Sequence, residues 1–348
     1  MKVRNLYGDA SHKGLISEKL SQYRQLFSAA ERETEAKKSA SGASRSHVRD
    51  MTSEFYDLVT DFYELGWGHS FHFAPRHGRE SFDASIARHE HFLALRLELR
   101  PGLRAIDLGC GVGGPMREIA RFSGAQVVGL NINAYQIEKA KRYNAAQGLD
   151  DLCELVHGSF LEIPLPDESF DAAYAVEATC HAASRRDVFA EAYRVLKPGG
   201  RLAAYEWAMT PLYDENDPRH QAIKHGIEVG NSLPPMPRTV EIIEVLRDIG
   251  FEVEEDKDVA TDLRTGDRTW YAPLTGKELS VHTLRQSSVG RVVTQSSLRL
   301  LERFRLAPAG SQAVSSFLNE AADALVAGGE TGIFTPMFYF LARKPSHT

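Results

Sequence analysis

Residues 105–115 read Ala-Ile-Asp-Leu-Gly-Cys-Gly-Val-Gly-Gly-Pro, and no other stretch leaves the fold so few choices. Residues 103–108 alternate apolar residues and end on a turn signal, so they read as a buried strand. Gly109, Gly111, Gly113 and Gly114 then make a turn that can take positive φ and let a ligand touch the main chain. Pro115 suits the first turn of a helix, which residues 116–121 continue. Strand, glycine turn and helix together are the nucleotide cradle of a doubly wound α/β domain.

Glycine spacing alone does not choose the ligand, because dehydrogenases use a similar turn. Asp107 does. It stands two residues before the first glycine, where a pyrophosphate would have to sit. A carboxylate there repels a diphosphate and suits a ligand that carries an ammonium and no phosphate. S-adenosylmethionine is such a ligand, and NAD is not.

The rest of the chain repeats the same alternation. Strands are expected at residues 126–131, 153–157, 170–177, 201–206 and 251–255, with helices at 134–147, 186–196 and 239–249. The expected fold class is therefore α/β: a doubly wound, mostly parallel seven-stranded sheet with helices on both faces. Residues 333–342 are a final apolar run, read as an antiparallel edge strand. Residues 81–99 read as a helix leading into the first strand. The proline-rich stretch 207–238 is too long for a plain connection and reads as an active-site insert. Candidate helices lie at 298–305 and 312–326.

Three divisions follow: a loosely ordered, serine-rich arm at 1–50, a core with an N-terminal pocket segment at 51–257, and an extension at 258–348. Within the arm, residues 15–35 could form a helix. With 41 basic and 47 acidic residues the net charge is −6, which gives no footprint for nucleic acid. Cys110, Cys153 and Cys180 lack metal-ligand spacing and fit a reducing compartment, so no metal is expected. No stretch approaches the ~20 continuous apolar residues of a membrane span.

Residues 52–73 are dense in aromatics and end in Gly66-Trp-Gly-His-Ser-Phe-His-Phe73. Two glycines around a tryptophan make poor helix, so this is a shaped loop that reads as the wall of an apolar substrate pocket or as core packing. Here the chain resembles the sterol 24-C-methyltransferases. The resemblance rests on Tyr63-Glu-Leu-Gly-Trp-Gly-His-Ser-Phe-His-Phe73, Ser85-Ile-Ala-Arg-His-Glu-His91 and Asp107 to Arg121. It continues through Gly129-Leu-Asn-Ile-Asn133 with Tyr135-Gln-Ile137, Glu177-Ala-Thr-Cys-His-Ala182, Tyr205-Glu-Trp-Ala-Met-Thr210 and Phe334-Thr-Pro-Met337. One departure is Leu65, where the family usually has an aromatic.

The resemblance implies methyl transfer from S-adenosylmethionine to the side-chain double bond of a sterol at carbon 24. It also implies an enzyme peripheral to a membrane or lipid-droplet surface, on the cytoplasmic side of the endoplasmic reticulum in a eukaryote and cytoplasmic otherwise, often as a homo-oligomer. Such a reaction leaves a carbocation, then needs a hydride shift and loss of one proton. Aromatic faces and buried carboxylates suit the cation.

Tyr63, Trp67, Phe71, Phe73, Tyr205 and Trp207 are the aromatic candidates, and Leu65 shares their wall. Glu64, Glu177 and Glu206 are the acidic candidates, with Tyr63 counted among the catalytic groups. His181 is a candidate proton acceptor, or else a hydrogen-bonded structural histidine. For the cofactor, Asp107, Gly109, Cys110, Gly111 and Gly113 form the cradle. Asn131, Ile132 and Gln136 follow the second strand, Ser159 and Phe160 border the adenine, and Glu177 closes the site. Two other readings stay open: a methyltransferase for another lipid or a quinone-like ring, and a non-catalytic sensor of sterol or cofactor.

Overall fold

The computed structural model describes residues 67–275 and 311–346, with Tyr56, Thr60, Asp61, Tyr63 and Glu64 from the segment before them. The expectations for the arm at 1–50, for Leu65 and for a helix at 298–305 lie outside the described residues. Seven strands form one sheet: β1 (Arg104–Leu108), β2 (Gln126–Asn131), β3 (Cys153–His157), β4 (Phe170–Val176), β5 (Leu196–Met209), β6 (Glu252–Asp258) and β7 (Phe334–Arg343). Their order is β3-β2-β1-β4-β5-β7-β6. The first five pair in parallel.

β7 alone runs against its neighbours, and it lies between β5 and β6, one place in from the border. Composition explains the placement. The β7 sequence Phe-Thr-Pro-Met-Phe-Tyr-Phe-Leu-Ala-Arg is buried at its first nine positions, as an interior strand requires. β6 reads Glu-Val-Glu-Glu-Asp-Lys-Asp and has no fully buried residue. A charged strand on the border discourages pairing with another chain.

Helices cover both faces. α1 (Phe82–Arg96), α2 (Gly114–Ser123), α5 (Pro218–Gly230) and α7 (Ser311–Thr331) serve one core with Tyr174, Tyr205 and Trp207. α4 (Arg185–Val195) and α6 (Thr239–Ile249) serve the other with Ile106, Ala204 and Phe340. α3 (Ala134–Gln147) follows β2. The insert after β5 holds α5, with Asp217 as its N-cap and Pro218 at N1. Its proline content concealed that helix. The expected helix at 312–326 is longer, as α7.

Ser81, Asn133 and Ser184 cap α1, α3 and α4 with side-chain oxygens, and Gly124, Gly148 and Gly250 end α2, α3 and α6 in the left-handed conformation. These local signals start and stop the helices where the periodicity predicts. The result is a crevice at the carboxyl ends of β1, β2 and β4, where ligands sit in open α/β sheets.

Candidate functional site

The crevice is an open cleft of about 670 Å³, counting space continuous with solvent, and Gly109 to Val112 line it. Gly109 has φ +92°, and a Cβ there would lie 2.6 Å from the Cβ of Ala178. No other residue fits both demands. Gly114 is needed for a different reason: a Cβ would stand 2.1 Å from the carbonyl oxygen of His69. The aromatic loop therefore runs directly over the start of α2.

Asn131 ends β2 and lines the cleft. Its Nδ2 donates to Gly111 O at 3.2 Å and to Gln136 Oε1 at 2.8 Å. Gln136 in turn donates to Thr60 Oγ1 at 3.0 Å. Ile132, Cys110 and Phe160 also line the cleft. Gly113 caps α2 just behind it, and Ser159 is turned to its own loop, where its hydroxyl accepts from Leu161 N.

Asp107 does not face the cleft wall. Strand alternation puts it on the α1 side of the sheet, beneath the turn, only 2 % exposed. Its Oδ2 has no hydrogen-bond partner. Burial pushes its carboxyl up to about 8, with Tyr174 and His72 pulling down and Glu90 pushing up.

Glu177 follows β4 with φ +53° and is 5 % exposed. Its Oε1 accepts from the backbone N–H of Phe73 at 2.8 Å, and its Oε2 from the indole of Trp207 at 2.8 Å. Burial raises this carboxyl too, to about 8, against the pull of His72, Trp207 and Phe73. The carboxylate lines the cleft and touches the aromatic wall at once. Beneath it lies His72. Its Nδ1 meets Phe73 O at 2.9 Å and its Nε2 meets Glu90 Oε1 at 3.0 Å. Both partners accept, so both ring nitrogens donate. Burial opposes that charge, but Glu90 outweighs it and the pKa is raised.

His181 sits in the 3-10 turn Thr179–His181 and lines the cleft. Its Nδ1 lies 3.2 Å from Ser232 O and its Nε2 lies 2.9 Å from the hydroxyl of Tyr56. Burial lowers its pKa to about 4, so the imidazole is neutral.

The aromatic candidates divide. Phe71 lines the cleft, and Tyr63 packs edge-on against it with centroids 5.6 Å apart. Burial raises the Tyr63 phenol. Trp67, Phe73 and Trp207 form the buried wall behind, with Phe73 centred 5.9 Å from Trp67 and 6.1 Å from Trp207. Tyr205 is elsewhere: fully buried, it stacks on His89 at 3.6 Å between centroids.

Glu64 and Glu206 do not reach the cleft. Glu64 pairs with Lys139 and accepts from the Tyr143 hydroxyl at 2.7 Å, tying its segment to α3. Glu206 lies on the far face of the sheet, 3.7 Å from Arg185 Nε on α4. It follows Tyr205 and precedes Trp207, and adjacent strand residues point to opposite faces.

Sequence reasoning missed Tyr56 as a site residue, along with Lys139, Trp270 and Phe334. Trp270 lies 4.9 Å from Phe73 and 5.8 Å from Phe334, extending the aromatic wall into the last part of the chain. The density of aromatics around residue 56 was the one signal for Tyr56. Among the described residues no group of histidines, cysteines and carboxylates could hold a metal ion.

The chain is similar to known proteins over most of its length. A family described as a methyltransferase domain matches residues 106–204, and one described as sterol methyltransferase C-terminal matches residues 281–346. Cycloartenol-C-24-methyltransferase from Arabidopsis thaliana is 50 % identical over 301 residues, covering 86 % of this chain and 89 % of that protein. Sterol 24-C-methyltransferase from Yarrowia lipolytica is 47 % identical over 302 residues, covering 85 % and 79 %. Among solved structures, the cyclopropane synthase MmaA2 from Mycobacterium tuberculosis superposes with a TM-score of 0.68 at 17 % identity, covering 87 % of this chain and 100 % of that one. That likeness speaks for the fold.

Proposed function

The chain belongs to the sterol 24-C-methyltransferases, and on that premise we propose how its residues divide the work. It is an S-adenosylmethionine-dependent enzyme of sterol biosynthesis that methylates carbon 24. S-adenosylmethionine, when bound, supplies an electrophilic methyl group on a sulfonium. The residues present fit it. Gly109 to Val112 leave the main chain bare, Asn131 offers hydrogen bonds to hydroxyls, and Asp107 with Glu177 place two carboxyls under a cationic ligand.

The observation that carries the division is the fixing of Glu177. Both its oxygens are held by donors from the aromatic wall, so the carboxylate cannot swing away as charge develops. It stands between the cleft and the apolar wall, where a sterol side chain would meet the methyl donor. Adding a methyl to an alkene leaves a positive carbon. Phe71 and Tyr63, with Trp67 and Phe73 behind them, support that charge with ring faces and keep water out. His181 marks the end of the cleft where a proton is accepted. Glu64 works by anchoring the segment over the cleft, and Glu206 by bracing the far face.

The substrate is an apolar solid in water, so access runs through a membrane or lipid-droplet surface. Leu212 and Tyr213, just after β5, supply an exposed apolar rim: Leu212 is 66 % exposed and the Arg238 guanidinium lies over Tyr213. Such a rim suits peripheral, cytoplasmic-side contact. The test of the reading is incubation with S-adenosylmethionine and a panel of unsaturated sterols, read by mass spectrometry. Gain of one methyl at carbon 24 in the wild type, and its loss in Glu177→Gln with cofactor binding retained, are expected. Unimpaired turnover in Glu177→Gln rejects the assignment.

A further inference from the structure

Tyr56 and His181 are 125 residues apart in sequence, and the phenol oxygen lies 2.9 Å from His181 Nε2. Their rings meet edge to face at 5.3 Å between centroids. Both side chains line the cleft beside Glu177 and the glycine turn. The carbonyl of Ser232 decides how the protons lie. It can only accept, so His181 Nδ1, 3.2 Å away, carries a hydrogen. Burial keeps the ring neutral, so the lone pair is at Nε2 and Tyr56 donates to it.

Nε2 is therefore capped by the hydroxyl. A proton that arrives from the cleft meets the tyrosine oxygen first. We propose that Tyr56 is the immediate proton acceptor that ends the reaction, with His181 as the second carrier behind it. This rests on the reading above that the His181 end of the cleft receives the proton.

The step balances as follows. The C–H bond beside the cationic carbon breaks, and its electron pair becomes the new carbon–carbon double bond. The proton binds the Tyr56 oxygen. The proton that oxygen already held moves along the existing hydrogen bond to His181 Nε2. The resulting imidazolium keeps its Nδ1–H on Ser232 O and returns the extra proton to water after the product leaves. A phenol is a weak base, but a C–H bond next to a carbocation is a very strong acid. Position, not basicity, then decides which group receives the proton.

Single-turnover reactions with S-adenosylmethionine and an unsaturated sterol test this in three proteins: Tyr56→Phe, His181→Gln, and a protein with a fluorotyrosine at position 56. Cofactor and sterol affinities are measured alongside the ratio of alkene products to the alcohol formed by water capture. Tyr56→Phe is expected to bind both ligands normally, to lose protons ~100-fold more slowly, and to divert product to the alcohol or to another alkene. The fluorotyrosine protein keeps the shape and is expected to shift the ratio in the same direction. Wild-type ratios in both position-56 variants overturn the proposal. If they are unchanged while His181→Gln shifts the ratio, His181 accepts directly and only the Tyr56 step falls. If no variant shifts it, the reading of the His181 end falls as well. Should Tyr56→Phe fail to fold or bind cofactor, the fluorotyrosine protein decides by the same criteria.

Discussion

The backbone N–H of Phe73 donates to Glu177 Oε1 at 2.8 Å and joins the aromatic loop to the end of β4 across 104 residues of chain. Trp207 from β5 holds the other oxygen. Three distant segments thus converge on one carboxyl.

The first prediction concerns the protonation state of that carboxyl. Burial raises Glu177 and Asp107 to about 8, so both carboxyls carry protons near pH 7 when no cation is bound. A cationic ligand favours the ionised forms, so its binding expels protons. Affinity for S-adenosylmethionine should rise from pH 6 to about 8, by up to ~10-fold per unit for each proton released, and then level off. S-adenosylhomocysteine, without the sulfonium charge, should show a shallower rise. Folding without ligand has the opposite sign. The raised carboxyls contribute stability fully below their unfolded pKa of ~4 and lose it as pH climbs through about 8. Calorimetry in buffers of different ionisation enthalpy counts the protons, and zero release at pH 7 rejects the account.

The second concerns the segment over the cleft. Lys139 bridges Asp61 at 2.6 Å and Glu64, and Tyr135 donates to Asp61 at 2.9 Å. Lys139 is buried and its two carboxylate partners keep partial exposure, so each pair is worth ~1 kcal/mol, about fivefold in a rate. Lys139→Met should speed cofactor release by about that factor in stopped-flow fluorescence, with product ratios unchanged. Glu64→Gln should do the same, and the double variant little more. A changed product ratio in Glu64→Gln would show instead that this carboxylate acts on the substrate.

The third concerns the surface. Leu212→Asp places a charge on the exposed rim after β5. Flotation with sterol-loaded vesicles should fall severalfold, while methylation of sterol presented in detergent stays near wild type. Equal flotation of the two proteins would remove this rim from the membrane contact.

The cradle was legible because its signals are local. Gly109 at φ +92° and Pro115 in the first turn of α2 each answer to a backbone demand within a few residues, and Asn133 caps α3 three residues before Gln136, so motif and structure share one scale. What was not legible depends on pairing across the chain. Nothing near residue 56 announces that His181 will meet Tyr56, or near residue 64 that Lys139 will claim Glu64. The place of β7 is intermediate: its apolar length excludes a solvent border, and the charges of β6 accept one.

Glu206 is the case where a local rule was available and decides the last prediction. Trp207 faces the Glu177 side of the sheet, so its neighbour must face α4. There Glu206 is fully buried, with no hydrogen-bond partner on either oxygen and Arg185 Nε at 3.7 Å. Burial raises it to about 7 even with that cation beside it. A pair so placed contributes little net stability, yet removing one member strands the other. Glu206→Gln leaves Arg185 buried without a counter-charge, at a cost of ~3–5 kcal/mol in urea unfolding. Replacing both, Glu206→Leu with Arg185→Met, should recover most of that loss. Neither protein should alter product ratios in single turnovers run where it is folded, since no part of Glu206 reaches the cleft. If Glu206→Gln keeps wild-type stability but changes the products, the carboxylate acts on the reaction and its placement on the far face does not explain its role.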